Sequence, residues 1–186
     1  AYNDIVDRDL DARVARTAGR PVASGRISLR QAWAFLVACS LGGAAILLTL
    51  PPPAIGLGVA SLALVAAYPF MKRITWWPQA WLGLTFNWGA LLGFAAAAGH
   101  LGIPAILLYL GGVFWTLGYD TIYAVQDMED DALAGIRSSA RRLGRSAPRA
   151  VLGFYVLAFL FALACAFTAR LGPLFLPLAA GYGLQL

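Results

Sequence analysis

Between Gln31 and Tyr119 the chain carries only two formal charges, Lys72 and Arg73. Across all 186 residues, charged side chains make up 12% and hydrophobic ones 60%. Soluble domains run at roughly 25% and roughly 45–50%. A soluble core cannot hide that much apolar surface, so the composition excludes an ordinary soluble domain and points to an integral membrane protein. Cysteine is scarce too. Cys39 and Cys165 each sit inside an apolar run without a partner motif, which argues against a disulfide framework or a thiolate metal site and leaves small packing residues. The single histidine, His100, falls in a connector between apolar runs, where no catalytic role is expected.

The uncharged territory breaks into segments of bilayer-crossing length, about 20 residues for a hydrocarbon core of about 30 Å. The expected spans are 31–50, 54–71, 76–99, 104–126, 150–169 and 173–186, punctuated by Pro51-Pro52-Pro53 and Lys72-Arg73. Such long uninterrupted runs do not suit barrel strands, so the expected fold is all-α, a polytopic transmembrane helical bundle forming one domain. With these spans, residues 1–30, 72–77 and 127–149 share one membrane face and hold thirteen of the fourteen lysines and arginines, leaving Arg170 opposite. The positive-inside rule makes that face cytoplasmic. It also explains the net charge of +5 without nucleic acid, because the basic residues flank spans. The sequence opens Ala1-Tyr2-Asn3-Asp4 and ends at Leu186 within an apolar run, and is read as an internal portion of a longer membrane protein.

All nine acids lie in two segments. Five arrive between Asp120 and Asp131, just after an apolar run. Asp120, Tyr123, Asp127 and Asp131 are spaced i, i+3, i+7, i+11 and share one face of a continuous helix, with Glu129 and Asp130 off it. At the other end of the sequence Asn3, Asp7 and Asp11 are spaced i, i+4, i+8, with Asp4 alongside. The two segments repeat weakly: Asp7-x-x-x-Asp11-Ala12 and Asp127-x-x-x-Asp131-Ala132 lie 120 residues apart, each followed by arginines. Stacked carboxylates repel unless a cation neutralises them. Their hard oxygen donors suit Mg²⁺, which binds through one or two carboxylates plus phosphate.

The basic residues divide. Arg26, Arg30, Arg145 and Arg149 serve topology and lipid head groups. Arg16, Arg20, Lys72, Arg73, Arg137 and Arg141 lie nearer the acids or a cytoplasmic helix end. A diphosphate needs metal on some oxygens and cationic side chains on others. Acids and bases gathered on one face meet both needs.

At this point the sequence resembles a known family. Asn3-x-x-x-Asp7-x-x-x-Asp11, followed by Arg16 and Arg20-Pro21, is similar to the first aspartate-rich motif of the UbiA superfamily of intramembrane prenyltransferases. Tyr68-Pro69-Phe70-Met71-Lys72 resembles its Y-x-x-x-K motif, and Asp120-x-x-Tyr123-Ala124-x-x-Asp127-x-x-x-Asp131 its second aspartate-rich motif. The three stand in the expected order and span essentially the whole chain. Within the superfamily, Tyr119-Asp120-Thr121-Ile122-Tyr123-Ala124, Glu129-Asp130-Asp131-Ala132-Leu133 and Gly83-Leu84-Thr85-Phe86-Asn87-Trp88-Gly89 resemble the branch that prenylates 4-hydroxybenzoate in ubiquinone biosynthesis. Members of that branch often carry lysine where this chain has Arg137. Relatives acting on homogentisate, dihydroxynaphthoate or haem share the aspartates.

The resemblance implies nine helices around a central cavity, of which this chain holds the end of the second to part of the eighth. It implies Mg²⁺-dependent transfer of a polyprenyl group from its diphosphate to a small aromatic acid, in a bacterial inner membrane with the motif connectors cytoplasmic. Asp7, Asp11, Asp127 and Asp131 would hold the metal, with Asn3 and Asp120 nearby. Arg16, Arg20, Lys72 and Arg137 would stabilise the departing diphosphate, Tyr68 would stand beside them, and Tyr123 would face the allylic cation. Phe86, Trp88, Phe114 and Trp115 are further candidates for that cation, although packing against helices or lipid is the ordinary use of such residues. No obligate protein partner is evident. A transporter is the rival reading, but carriers place charge near the midplane rather than in two surface motifs. A purely structural subunit gives no reason to gather the acids.

Overall fold

The computed structural model of the chain describes residues 1–13, 17–133 and 135–183, with Asp130, Leu178 and Tyr182 described by backbone alone. The described residues form helices and no strand: α1 (Tyr2–Val6), α2 (Arg8–Asp11), α3 (Leu29–Leu47), α4 (Pro52–Ile74), α5 (Pro78–Phe86), α6 (Trp88–Ala98), α7 (Ile103–Gln126), α8 (Met128–Leu133), α9 (Ser139–Leu143), α10 (Ala147–Thr168) and α11 (Phe175–Gly183). Among the described residues, five segments are long and apolar enough to cross a membrane: α3, α4, α5 with α6, α7, and α9 continuing into α10. The chain is an integral membrane protein of helical-bundle architecture. Phe35, Leu41, Ile46 and Phe167 point outward, as side chains facing lipid do.

Local chemistry sets the helix ends. Ser28 and Gln31 form a reciprocal capping box at the start of α3, each side chain accepting from the other's backbone N–H. Proline stands in the first turn of α4, α5, α7 and α10, where its missing N–H costs no helical bond. Pro69, inside α4, cannot donate to the carbonyl four residues back, and this buried proline stands three residues before Lys72.

The stretch expected as one span over 76–99 is two helices meeting at Asn87. The carbonyls there have other partners. Asn87 Nδ2 donates to the Gly83 carbonyl (2.9 Å) and to Thr116 Oγ1 (2.8 Å), while Tyr109 Oη donates to the Leu84 carbonyl (3.0 Å). Asn87 and the α7 residues Tyr109 and Thr116 thus bond across the break and fix the junction of α5 and α6 against α7.

Helix α7 is the centre of the bundle. It buries Tyr109, Val113, Leu117 and Ala124, and also Thr116 and Thr121, whereas α3 is almost wholly outward-facing. Close approach to α10 depends on glycine. A Cβ at Gly118 would stand 2.6 Å from the Tyr155 ring, and one at Gly111 would stand 3.3 Å from the Ala158 carbonyl. Gly118→Ala should therefore cost about 1–3 kcal/mol through overpacking. Thermal denaturation of the detergent-purified protein checks this, with Gly43→Ala, which meets nothing within 4 Å, as the silent control.

Candidate functional site

Both acidic segments, the basic end of α4 and the connector after α8 come together at one end of the bundle around a cavity of about 250 Å³. Ten of the twelve residues singled out from the sequence line it: Asn3, Asp11, Arg20, Tyr68, Lys72, Asp120, Tyr123, Asp127, Asp131 and Arg137. Arg16 lies outside the described residues. Asp7 is the exception in position.

Asp7 sits at the junction of α1 and α2, fully buried, and does not line the cavity. Its Oδ2 accepts from Lys72 Nζ at 2.6 Å and its Oδ1 from Arg73 Nη2 at 3.1 Å. A buried carboxylate is costly unless it is paired, and here both oxygens are engaged. The pair ties the first acidic segment to the end of α4, a contact that Tyr2 Oη extends by donating to the Ala66 carbonyl (3.3 Å). Lys72 keeps one side on the cavity while neutralising Asp7.

Asp11, 5% exposed, accepts from Arg20 Nη1 at 2.9 Å, and the same nitrogen reaches Asp4 Oδ1 at 3.4 Å. Thr17 Oγ1 donates to the Asp11 carbonyl (2.9 Å). On the opposite wall, α7 stops at Asp127 and the chain restarts as α8, whose Asp131 N–H donates to the Asp127 carbonyl (2.8 Å). Asp120, Tyr123, Asp127 and Asp131 still share this wall despite the break.

The connector beyond α8 is fastened to α4 and α5. Arg137 N donates to the Lys72 carbonyl (3.0 Å) and its Nη1 to the Ile74 carbonyl (2.7 Å). These bonds satisfy groups that a helix C-terminus leaves open. Arg137 and Arg141 lie over the Trp76 ring at 5.7 and 5.5 Å, and Arg141 also donates to the Ile136 carbonyl. Beneath, Gln79 Oε1 accepts from Ser139 N (3.0 Å), and Ser139 Oγ shares a 2.7 Å hydrogen bond with Thr121 Oγ1.

Sequence reasoning passed over Gln79, Thr121, Ser138 and Ser139 because neutral side chains announce nothing in a helix pattern. The available signal was the cluster of small hydroxyls directly after Arg137. Among the aromatic candidates, Tyr123 lines the acidic cavity, edge-on to Tyr119 at 6.4 Å. Phe86 points outward, Phe114 stacks on Phe161 (5.6 Å), and Trp88 Nε1 donates to the Leu57 carbonyl (2.8 Å). Trp115 lines a second, more apolar cavity of about 320 Å³ between α6, α7 and α10. His100 is exposed, and its Nδ1 lies 3.0 Å from the Ala98 carbonyl.

Among the described residues no three carboxylate, histidine or cysteine side chains converge as a self-sufficient metal site. The donor set nevertheless fits Mg²⁺. Four carboxylates and one amide oxygen surround the cavity, and this ion commonly uses one or two carboxylates and completes its shell with water and phosphate.

Comparison with known proteins agrees with this arrangement. The model of the UbiA prenyltransferase family matches residues 1–185. The chain is 48% identical over 171 residues to a mitochondrial 4-hydroxybenzoate polyprenyltransferase of Arabidopsis thaliana, covering 91% of this chain and 42% of that protein. It is 51% identical over 156 residues to the Rattus norvegicus protein of the same description, covering 83% and 41%. The chain thus spans about two-fifths of the length of these relatives. Among solved structures, the apo form of a UbiA homolog from Aeropyrum pernix K1 aligns with TM-score 0.83 and 31% identity, over 98% of this chain and 70% of that one. A UbiA homolog from Archaeoglobus fulgidus, bound to GPP and Mg²⁺, aligns with TM-score 0.75 and 20% identity, over 98% and 66%, a likeness of fold.

Proposed function

Because the chain belongs to the UbiA prenyltransferase family, we propose that it forms the diphosphate end of an enzyme transferring a polyprenyl group from its diphosphate to 4-hydroxybenzoate. The observation that carries this reading is the convergence of Asp11, Asp120, Asp127 and Asp131 with Arg20, Lys72 and Arg137 on one cavity. The substrate follows from the curated relatives, which are described as 4-hydroxybenzoate polyprenyltransferases. The Archaeoglobus fulgidus neighbour of the same fold, bound to GPP and Mg²⁺, supports that reading.

Asp11, Asp127 and Asp131 would hold Mg²⁺, with Asn3 and Asp120 beside them; Asp7 joins only when its pair with Lys72 opens. When bound, the metal neutralises diphosphate oxygens and favours their departure as a leaving group. The chain's own cations complete that task. Lys72 and Arg137 lie on the same side of the cavity, joined through the bond from Arg137 N to the Lys72 carbonyl, and Arg20 stands on the first acidic segment. Arg16 belongs with them by its place in the motif. Lys72, Arg137 and Arg20 are preorganised donors for charge that grows as the allylic carbon–oxygen bond breaks. In the structure Lys72 and Arg20 are already paired with Asp7 and Asp11, which holds them in place before substrate arrives.

Tyr123 presents a π face to the allylic cation, and Tyr68 stands one turn before Lys72 on the same wall. The electron-rich ring carbon ortho to the phenol then attacks, and loss of its proton restores aromaticity. The second cavity, bordered by Leu108, Trp115, Ala158 and Ala162, offers an apolar interior for the prenyl chain. The acid-bearing face is proposed to be cytoplasmic in a bacterial inner membrane, on the distribution of lysine and arginine. The curated relatives are described as mitochondrial, which makes an organelle membrane the alternative setting.

Incubating the full-length protein in membranes with labelled prenyl diphosphate, Mg²⁺ and separate aromatic acceptors tests the proposal. Prenylated 4-hydroxybenzoate is the expected product. Product only with homogentisate or dihydroxynaphthoate overturns the acceptor, and no product with any acceptor overturns the enzyme.

A further inference from the structure

Gln79 is the neutral side chain on the cavity wall whose hydrogen bonding is left half complete. It is 6% exposed, lies in the first turn of α5 behind Pro78, and borders the cavity beside Lys72, Arg137 and Ser138. Its Oε1 accepts from Ser139 N at 3.0 Å, which settles the orientation of the amide, because a backbone N–H needs an acceptor. Nε2 is therefore turned the other way. Among the described residues it has no hydrogen-bond partner, yet it is not sealed off, since no buried side-chain nitrogen or oxygen is left unsatisfied. In a residue so buried, the opening is the cavity itself. An amide held by its oxygen and offering its N–H₂ to an acid- and base-lined cavity is a fixed donor awaiting an acceptor.

Two further features define the acceptor. Lys72 and Arg137 flank this wall, and Gln79 itself stands in the first turn of α5, at the end of a helix that favours negative charge. The aspartates lining the cavity, which repel anions unless a metal intervenes, belong to α2, α7, α8 and the α7–α8 junction. We propose that Gln79 is a further substrate-contact residue, its Nε2 donating to a phosphate oxygen of the prenyl diphosphate on the cationic side of the cavity. This rests on the prenyl-diphosphate reading above and adds to it a neutral donor. The rigidity comes from Ser139, which is itself held by Thr121 on α7, so the contact cannot swing away with the connector.

Gln79→Glu separates contact from scaffolding in the full-length protein. It keeps an oxygen for Ser139 N–H and replaces the donor with a second acceptor. The proposal predicts at least about a tenfold rise in KM for the prenyl diphosphate, a matching loss of inhibition by inorganic pyrophosphate with Mg²⁺, and little change in KM for the aromatic acid. Ser139→Ala, which retains the N–H that holds the Gln79 oxygen but loses the Thr121 contact, should raise the diphosphate KM by less than Gln79→Glu does. An unchanged diphosphate KM in Gln79→Glu, or a rise confined to the aromatic acid, overturns the proposal. If the variant does not fold, the unsubstituted protein bound to a non-reacting prenyl thiodiphosphate and Mg²⁺ decides. Nε2 must then lie within hydrogen-bonding distance of a phosphate oxygen, and any other partner refutes the assignment. Absence of turnover by the unsubstituted protein with every acceptor would instead count against the proposed function.

Discussion

Asp131→Asn should lower prenyl transfer by at least about a thousandfold while leaving the bundle folded. The substitution keeps size and one oxygen but removes the negative charge that a metal ion requires of its ligand. Transition-state stabilisation by a metal is worth several kcal/mol, and a loss of about 4 kcal/mol corresponds to three decades of rate. Asp131 is half-buried at the cavity wall on the short helix α8, outside the packed interior formed by α7 and α10. Its loss therefore removes little packing. Turnover and melting temperature measured on the same detergent-purified samples separate the two effects: activity should collapse with melting within a few degrees of the unsubstituted protein. Activity within tenfold of normal would remove Asp131 from the metal site. Asp127→Asn carries the same expectation.

Asp7→Ala should differ in kind, losing stability as well as turnover. Asp7 is the fully buried acid, and it holds the basic end of α4 to the N-terminal segment through Lys72 and Arg73. Removing it deletes two charge-assisted hydrogen bonds and leaves two cations facing one another. Lys72 is mostly enclosed and accounts for most of the cost, whereas Arg73 is about half-exposed and can turn to water, so its share is small. A destabilisation of about 2–3 kcal/mol is expected, read as a clear drop in melting temperature. Lys72→Met should cost less, because Arg73 still neutralises Asp7. Adding Arg73→Met should cost more than the two single changes together, since the buried carboxylate is then without any cation. Additive effects would show that the three groups do not act as a unit.

The acids were legible in the sequence because charge in so apolar a chain is scarce, and scarcity makes position informative. Asp120, Tyr123, Asp127 and Asp131 keep one wall even though the helix breaks at Asp127, where the Asp131 N–H bonds back to the Asp127 carbonyl. Spacing alone could not tell which acids a cation already satisfies. Asp7 and Asp11 look equivalent in the N-terminal motif, yet one is enclosed by Lys72 and Arg73 and the other opens to the cavity beside Arg20. That distinction arises from contacts across more than sixty residues. The break at Asn87 was equally hidden. The run from Trp76 to Gly99 carries no proline beyond Pro78, and the donors that interrupt its ladder come partly from Tyr109 and the Asn87–Thr116 pair. Gln79 escaped notice because a glutamine in a first helical turn has no distinguishing pattern; its significance lies in Ser139 holding one end of the amide.

The claim that this cavity is a metal-dependent diphosphate clamp is tested most directly by binding without turnover. Labelled prenyl thiodiphosphate is added to the full-length protein in detergent, with Mg²⁺ or with a chelator, and retention is measured for the unsubstituted protein and for Asp131→Asn. Retention by the unsubstituted protein that falls at least about tenfold in chelator, and is weak for Asp131→Asn even with Mg²⁺, is the predicted result. Equal retention with and without Mg²⁺, or undiminished retention by Asp131→Asn, would contradict the account.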